Sequence, residues 1–107
     1  MKPEVIQISA RCPIRTTLEL LGGKWKLLII HQLRSEPLRL STLRQLIPDI
    51  SEKMLIQELK VLVGSGLVKR TNYGEVPPRV DYALTEKGQI ALPLIEEMAR
   101  FSESYWK

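Results

Sequence analysis

One hundred and seven residues at 12.3 kDa suffice for one compact domain with a proper core, but the chain is small for an enzyme that must enclose a pocket. The apolar fraction of 44% and the charged fraction of 26% are ordinary for a globular chain, and the longest unbroken aliphatic run, Leu27-Leu28-Ile29-Ile30, is far too short to cross a bilayer. The net charge is +4 and unevenly placed: residues 1–80 hold thirteen Lys/Arg against seven Asp/Glu, and residues 81–107 hold three against five, which suggests a polyanion as partner of the basic body.

Met1 to Ala10 contain no apolar block of signal-peptide length, so the expectation is a cytoplasmic protein with no membrane partner. A short N-terminal arm is expected over 1–11, then one domain over 12–107. The first helix opens at Cys12-Pro13, because proline suits the first helical position, where its missing N–H would have no acceptor. Ile14, Leu18 and Leu21 recur at i, i+4, i+7 as one apolar stripe. Gly22-Gly23 is expected to stop that helix in the left-handed conformation. A second helix, about 24–34, should bury Trp25, Leu28, Ile29 and Leu33 and turn Lys24, Lys26, His31 and Arg34 outward.

Pro37-Leu38-Arg39-Leu40 reads as a short extended piece. Ser41 is the expected N-cap of a third helix with Leu43, Leu46 and Ile47 inward, ended by Pro48. Ser51 is a second N-cap, and Ile50 and Leu55 stand at the N′ and N4 positions of a hydrophobic staple. The fourth helix should bury Leu55, Leu59 and Leu62 and end at Gly64-Ser65-Gly66. Two strands follow, over 67–72 and 79–84, joined by a loop stiffened by Pro77-Pro78. In the second strand Val80, Tyr82 and Leu84 alternate with Arg79, Asp81 and Ala83, which places Asp81 on the outer side. Thr85 caps a final helix that Pro93 should bend or interrupt. That helix carries two adjoining apolar rows, Ile90, Leu94, Met98, Phe101, Tyr105 and Ala91, Ile95, Ala99, Trp106. This is more apolar surface than one small domain covers, so one side is expected on the core and the other against a second copy.

The order helix, helix, strand, helix, helix, hairpin, helix is that of a winged helix-turn-helix: mostly α with a small β-hairpin. With its leucines on the core, the fourth helix would present Ser51, Lys53, Ile56, Gln57 and Lys60 outward. Lys can donate to guanine, Gln can pair with adenine, and an apolar side chain can touch a thymine methyl in the major groove of double-stranded DNA. Against this stands the simpler reading that most such faces are only solvated. In the hairpin, Lys69, Arg70 and Arg79 could meet phosphates or the minor groove. Lys24, Lys26, Arg39, Ser41, Thr42 and Arg44 lie near helix starts and are candidate phosphate contacts.

Three blocks carry a resemblance: Gly22-Gly23-Lys24-Trp25-Lys26; Ile50-Ser51 with Lys53-Met54-Leu55; and Val76-Pro77-Pro78-Arg79-Val80 with Tyr82, Leu84-Thr85 and Gly88. In this order and spacing they resemble the HxlR family of bacterial transcriptional regulators, from about Cys12 to the end of the last helix. The resemblance implies MarR-like, two-fold symmetric homodimers on pseudo-palindromic operators, usually as repressors. Residue by residue, Ser51, Lys53, Met54 and Gln57 match the start of the family's recognition helix, and Tyr73, Gly74, Pro78 and Arg79 match its wing. Ile56 stands where the family usually has Thr, and Glu52 and Glu58 where Gln is common, departures that bear on the operator sequence.

A single cysteine excludes an intrachain disulfide, and with a single histidine, His31, it cannot close a four-ligand zinc site; no cofactor is expected. Cys12 precedes Pro13 and so occupies an N-cap, where unpaired N–H groups and the helix dipole favour a thiolate, with Arg11 and Arg15 adding positive charge. In a redox-sensing branch of the family a cysteine just before the first helix is the sensor, and Cys12 matches that position. The plainer alternative is a small buried residue at a helix start. The expected dimer seam comprises Ile14, Leu18 and Leu21 from the first helix and Leu94, Met98, Phe101 and Tyr105 from the last. Three readings of the function stand side by side: a homodimeric DNA-binding regulator responsive through Cys12, one controlled by a small-molecule effector in the seam, and a protein-interaction module on the same fold. No base lies at a readable spacing from Cys12 and no Gly-rich phosphate loop exists, so no enzyme is expected.

Overall fold

Capping and apolar periodicity account for most element boundaries in the computed structural model, which describes residues 11–107. The arm expected over 1–11 thus lies, but for Arg11, outside the described residues. Helix α1 (Pro13–Leu21) starts behind Cys12, whose Sγ accepts from the Arg15 N–H at 3.5 Å. Its end differs from expectation. Gly22 is extended, with φ −68° and ψ 167°, and Gly23 at φ 94° takes the left-handed turn. Gly22 is required for another reason, since a Cβ there would lie 2.3 Å from the Leu18 carbonyl oxygen.

Helix α2 (Lys26–Gln32) is shorter than the 24–34 expected, and its buried stripe is rotated. Ile29, Ile30 and Leu33 are inside, whereas Leu28 is exposed. Helix α3 (Leu40–Leu46) begins behind Arg39 rather than Ser41, with no side-chain cap. The cause is long-range: Leu38 bridges Tyr82 through a reciprocal pair of backbone hydrogen bonds of 2.9 and 2.8 Å, so the chain leaves the sheet at Arg39 and turns at once into the helix. Leu43 and Ile47 are buried as expected, but Leu46 is exposed.

Helix α4 (Glu52–Gly64) follows its local signals. Ser51 Oγ accepts from the Met54 N–H at 3.1 Å, Ile50 and Leu55 are both buried as a staple requires, and Leu55, Leu59 and Leu62 are fully inside. Each fully buried aliphatic side chain stabilises the fold by about 1.5–3 kcal/mol. These three leucines join Ile29, Ile30, Leu33, Leu43 and Val68 in one core, with Trp25, Leu38, Leu40 and Tyr82 packed around it. The core therefore lies on the inner side of α4, and Lys53, Ile56, Gln57 and Lys60 on its other side are exposed.

Strands β1 (Val68–Asn72) and β2 (Val80–Leu84) form an antiparallel hairpin in which Arg70 faces Tyr82 and Asn72 faces Val80. The hairpin returns to the helices through Thr85, whose Oγ1 donates to the Gly66 carbonyl at 2.6 Å and accepts from the Gly88 N–H at 3.1 Å. A Cβ at Gly88 would meet the Leu67 carbonyl oxygen at 2.1 Å, so only glycine permits this approach. Pro93 does interrupt the final helix: Thr85 caps a short α5 (Glu86–Gln89), and α6 (Leu92–Trp106) restarts with Pro93 in its first turn, where no N–H is needed. No residue of α6 is buried within one copy of the chain.

Candidate nucleic-acid interface

The outward side of α4 is built by the same spacing that builds its inward side. With Leu55, Leu59 and Leu62 in the core, Lys53, Ile56, Gln57 and Lys60 are exposed together along one flank. Ser51 at the cap is also exposed. Met54 behaves differently, being half-buried and packed against the core. Lys60 and Lys53 appear in no ion pair among the described residues, so both ammonium groups are available to an anion.

The hairpin contributes two sets of side chains. Lys69 and Arg70 are exposed on successive positions of β1 and so point to opposite faces. At the base of the loop, the Tyr73 N–H donates to the Arg79 carbonyl at 3.0 Å, and the Gly74 N–H donates to Asn72 Oδ1 at 2.9 Å with Gly74 in the left-handed region. Arg79 is half-buried, with its guanidinium 4.3 Å from the centroid of the Tyr73 ring and Nη2 3.5 Å from Asp81. Pro78 is exposed beside it.

Asp81 is the residue the alternation misplaced. It is buried, not outward, because Arg39 and Arg79 close over it: Arg39 Nε stands 3.9 Å from one carboxylate oxygen and Arg79 Nη2 3.5 Å from the other. A buried carboxylate is tolerated when cations pair with it. Arg39 comes from the start of α3 and Arg79 from the wing, so Asp81 ties the helix-turn-helix to the hairpin. The Arg79 pairing follows from the two-residue spacing on one side of the strand, but no local pattern signals Arg39, which lies 42 residues earlier and brings the carboxylate inside.

Among the candidate phosphate contacts, Ser41 and Arg44 are exposed on α3 and Thr42 is half-buried. Lys24 is exposed, 3.9 Å from Asp49 and over the Trp25 ring. Lys26 is not available. Its Nζ lies 3.0 Å from Glu58 Oε2, and both side chains are largely buried, at 15% and 13% exposure. The expected outward Lys26 is instead a strut between α2 and α4, and Glu58, one of the departures from the family pattern, is its partner.

A second surface lies away from α4. Ile14 and Leu18 on α1 and Ile90, Leu94, Met98, Phe101, Tyr105 and Trp106 around α6 are exposed apolar residues. The Phe101 and Tyr105 rings stack at 6.4 Å, and Tyr105 meets Trp106 edge-on at 5.0 Å. Leu21, expected in the same seam, instead packs on the core. On the polar side of α6 Arg100 hydrogen-bonds Glu97 and adds its charge, holding the Glu97 carboxyl below its ordinary value. Cys12 is buried, which leaves its thiol shielded at the head of α1. No helix among the described residues is long and apolar enough to cross a membrane, and no cluster of potential metal ligands occurs among them.

The arrangement is that of proteins already known. Residues 20–107 match the model of the HxlR-like helix-turn-helix family. An uncharacterized HTH-type transcriptional regulator of Bacillus subtilis (strain 168), YkvN, is 44% identical over 94 residues, covering 88% of this chain and 80% of the relative. Among solved structures, a transcriptional regulator of the MarR family from Porphyromonas gingivalis W83 is 50% identical with a TM-score of 0.86, over 91% of this chain and 96% of that one. The redox regulator HypR in its oxidized form is 36% identical with a TM-score of 0.81, over 87% of this chain and 96% of that one.

Proposed function

The chain belongs to the HxlR-like helix-turn-helix family of transcriptional regulators, and from that premise we propose that it is a homodimeric repressor that reads a pseudo-palindromic operator with α4. The observation that carries this reading is the exposed flank of Lys53, Ile56, Gln57 and Lys60 opposite three fully buried leucines. A recognition helix needs such a rigid inner anchor and a free outer edge. Arg70 and Arg79 on the wing, Lys24, Arg39 and Arg44 near helix starts, and Ser41 and Thr42 on α3 would supply backbone contacts. The unit that does this spans residues 12–107 as one domain. Its second copy would cover the apolar face of α1 and α6, and closed two-fold symmetry would set the recognition helices about 34 Å apart, one turn of DNA. Changing Lys53 and Gln57 to Ala should cost specific binding about 1–3 kcal/mol per lost base contact and leave non-specific binding much less affected. An equal loss in both would remove α4 as the reading element.

A second element concerns control. Cys12 caps α1, the helix whose outer side would lie in the seam, and the similarity to a redox regulator favours a thiol-based signal over an inert residue. Once the start of α1 opens to uncover the buried Cys12, oxidation by diamide would take two electrons and two protons from a pair of Cys12 thiols, one from each protomer, forming a disulfide and reducing the diamide to its hydrazine. Cys12→Ser should keep DNA affinity and lose the response to diamide. A retained response would remove Cys12 as the sensor.

A further inference from the structure

Two kinds of side-chain contact hold α4 to the rest of the fold. Leu55, Leu59 and Leu62 bury an apolar stripe, and Glu58 Oε2 lies 3.0 Å from Lys26 Nζ of α2. Among the described residues no other side chain of α4 makes an ion pair or a hydrogen bond to another element. The two contacts differ in what they constrain. Apolar packing is non-directional, and a core of the right volume keeps stability even when it loses a unique arrangement. The ion pair is directional, and its far end is fixed: Lys26 opens α2 between Trp25, which packs on the core, and the fully buried Ile29 and Ile30.

Successive residues of an α-helix are turned by about 100°, so Glu58 stands between Gln57 on the exposed edge and Leu59 in the core. Side-chain atoms lie about 5–6 Å from the helix axis, so a rotation of α4 by about 20° carries Glu58 and Gln57 together by about 2 Å. That displacement takes the pair out of hydrogen-bond reach in a nearly dry site and leaves two charges unpaired. The same displacement decides whether a side chain makes or misses a two-point contact to a base edge. We propose that Lys26 and Glu58 are positioning residues for base readout: the buried pair fixes the rotation of α4 and so sets which sequence is selected, although neither side chain touches DNA. This role rests on the function proposed above, in which α4 reads the major groove. Lys24 and Asp49 cannot share it, because their side chains are 67% and 66% exposed and water replaces each partner at little cost.

The test compares the unaltered protein with the double variant Lys26→Met, Glu58→Leu, whose net charge is the same. A duplex selected by the unaltered protein from a random library is measured against a scrambled duplex of equal composition. The apolar pair should lower the ratio of the two affinities by about tenfold or more, the scale of one lost two-point base contact. Affinity for the scrambled duplex and its salt slope should stay as they were, since no phosphate contact is removed. The exchanged pair Lys26→Glu, Glu58→Lys should recover the ratio. In the DNA-free protein, residual dipolar couplings of the amides over 52–64 should fit one orientation against the rest of the fold, and that fit should fail in the apolar variant. If Met and Leu overpack the site and prevent folding, Lys26→Leu, Glu58→Ala takes their place under the same criteria. An undiminished ratio, a ratio that the exchanged pair leaves lost, or an unchanged orientation of α4 in the apolar variant would overturn the positioning role and leave the regulator reading intact. An unaltered protein that selects no sequence would remove that reading, and the positioning role with it.

Discussion

The Asp81 carboxylate stands 3.5 Å from the Arg79 guanidinium and anchors the wing from within the fold, not from solvent. The same carboxylate reaches Arg39 at the start of α3, so one buried anion sets the angle between wing and helix-turn-helix. Removing its charge would leave two arginines facing a neutral amide. Asp81→Asn should lower stability by about 1–3 kcal/mol, read from the midpoint of urea unfolding at unchanged slope. A midpoint equal to that of the unaltered protein would show that the pairings hold nothing in place.

Lys26 and Glu58 supply the second strut. Each is largely buried, so losing one leaves the other uncompensated, which costs several kcal/mol in a dry site and less where some exposure remains. Lys26→Met should destabilise by roughly 1–3 kcal/mol. Adding Glu58→Leu should recover most of that loss, because a well-packed apolar pair replaces a buried ion pair at little cost. Equivalent behaviour of Lys24→Met, whose partner Asp49 is exposed, would contradict the distinction between the two lysines.

What could be read from the sequence were the features decided within a few residues of each other. Ser51, the Ile50–Leu55 staple and the leucines of α4 obey local rules, and the structure reproduces them. The two hairpin strands and the Pro93 interruption are local in the same sense. The errors have long-range causes. Ser41 lost the cap of α3 to Arg39 because Leu38 is pinned to Tyr82 across the fold. Asp81 is inside because Arg39 comes from 42 residues earlier, and Lys26 is occupied because α4 passes beside it. In α2, seven residues give two turns, too few for periodicity alone to choose between Leu28 and Ile30 as the inward residue.

The exposed aromatic end of α6 makes a separate prediction. Phe101 is 72% exposed in one copy and stacks on Tyr105, which together leave an apolar patch for a partner. If the proposed dimer uses this patch, the unaltered protein should sediment as a dimer and Phe101→Asp as a monomer at equilibrium, with the stability of the single-copy fold changed by no more than about 0.5 kcal/mol. An unchanged mass would place the dimer contact elsewhere.

The central claim is that two copies present their α4 edges to neighbouring major grooves of one duplex. Selection of bound sequences from a library of random duplexes tests it most directly. The account predicts enrichment of an inverted repeat whose half-site centres lie about 10 base pairs apart, and loss of that enrichment when Lys53 and Gln57 are changed to Ala. Recovery of unrelated sequences, or of the same repeat by the Lys53→Ala, Gln57→Ala variant, would contradict it.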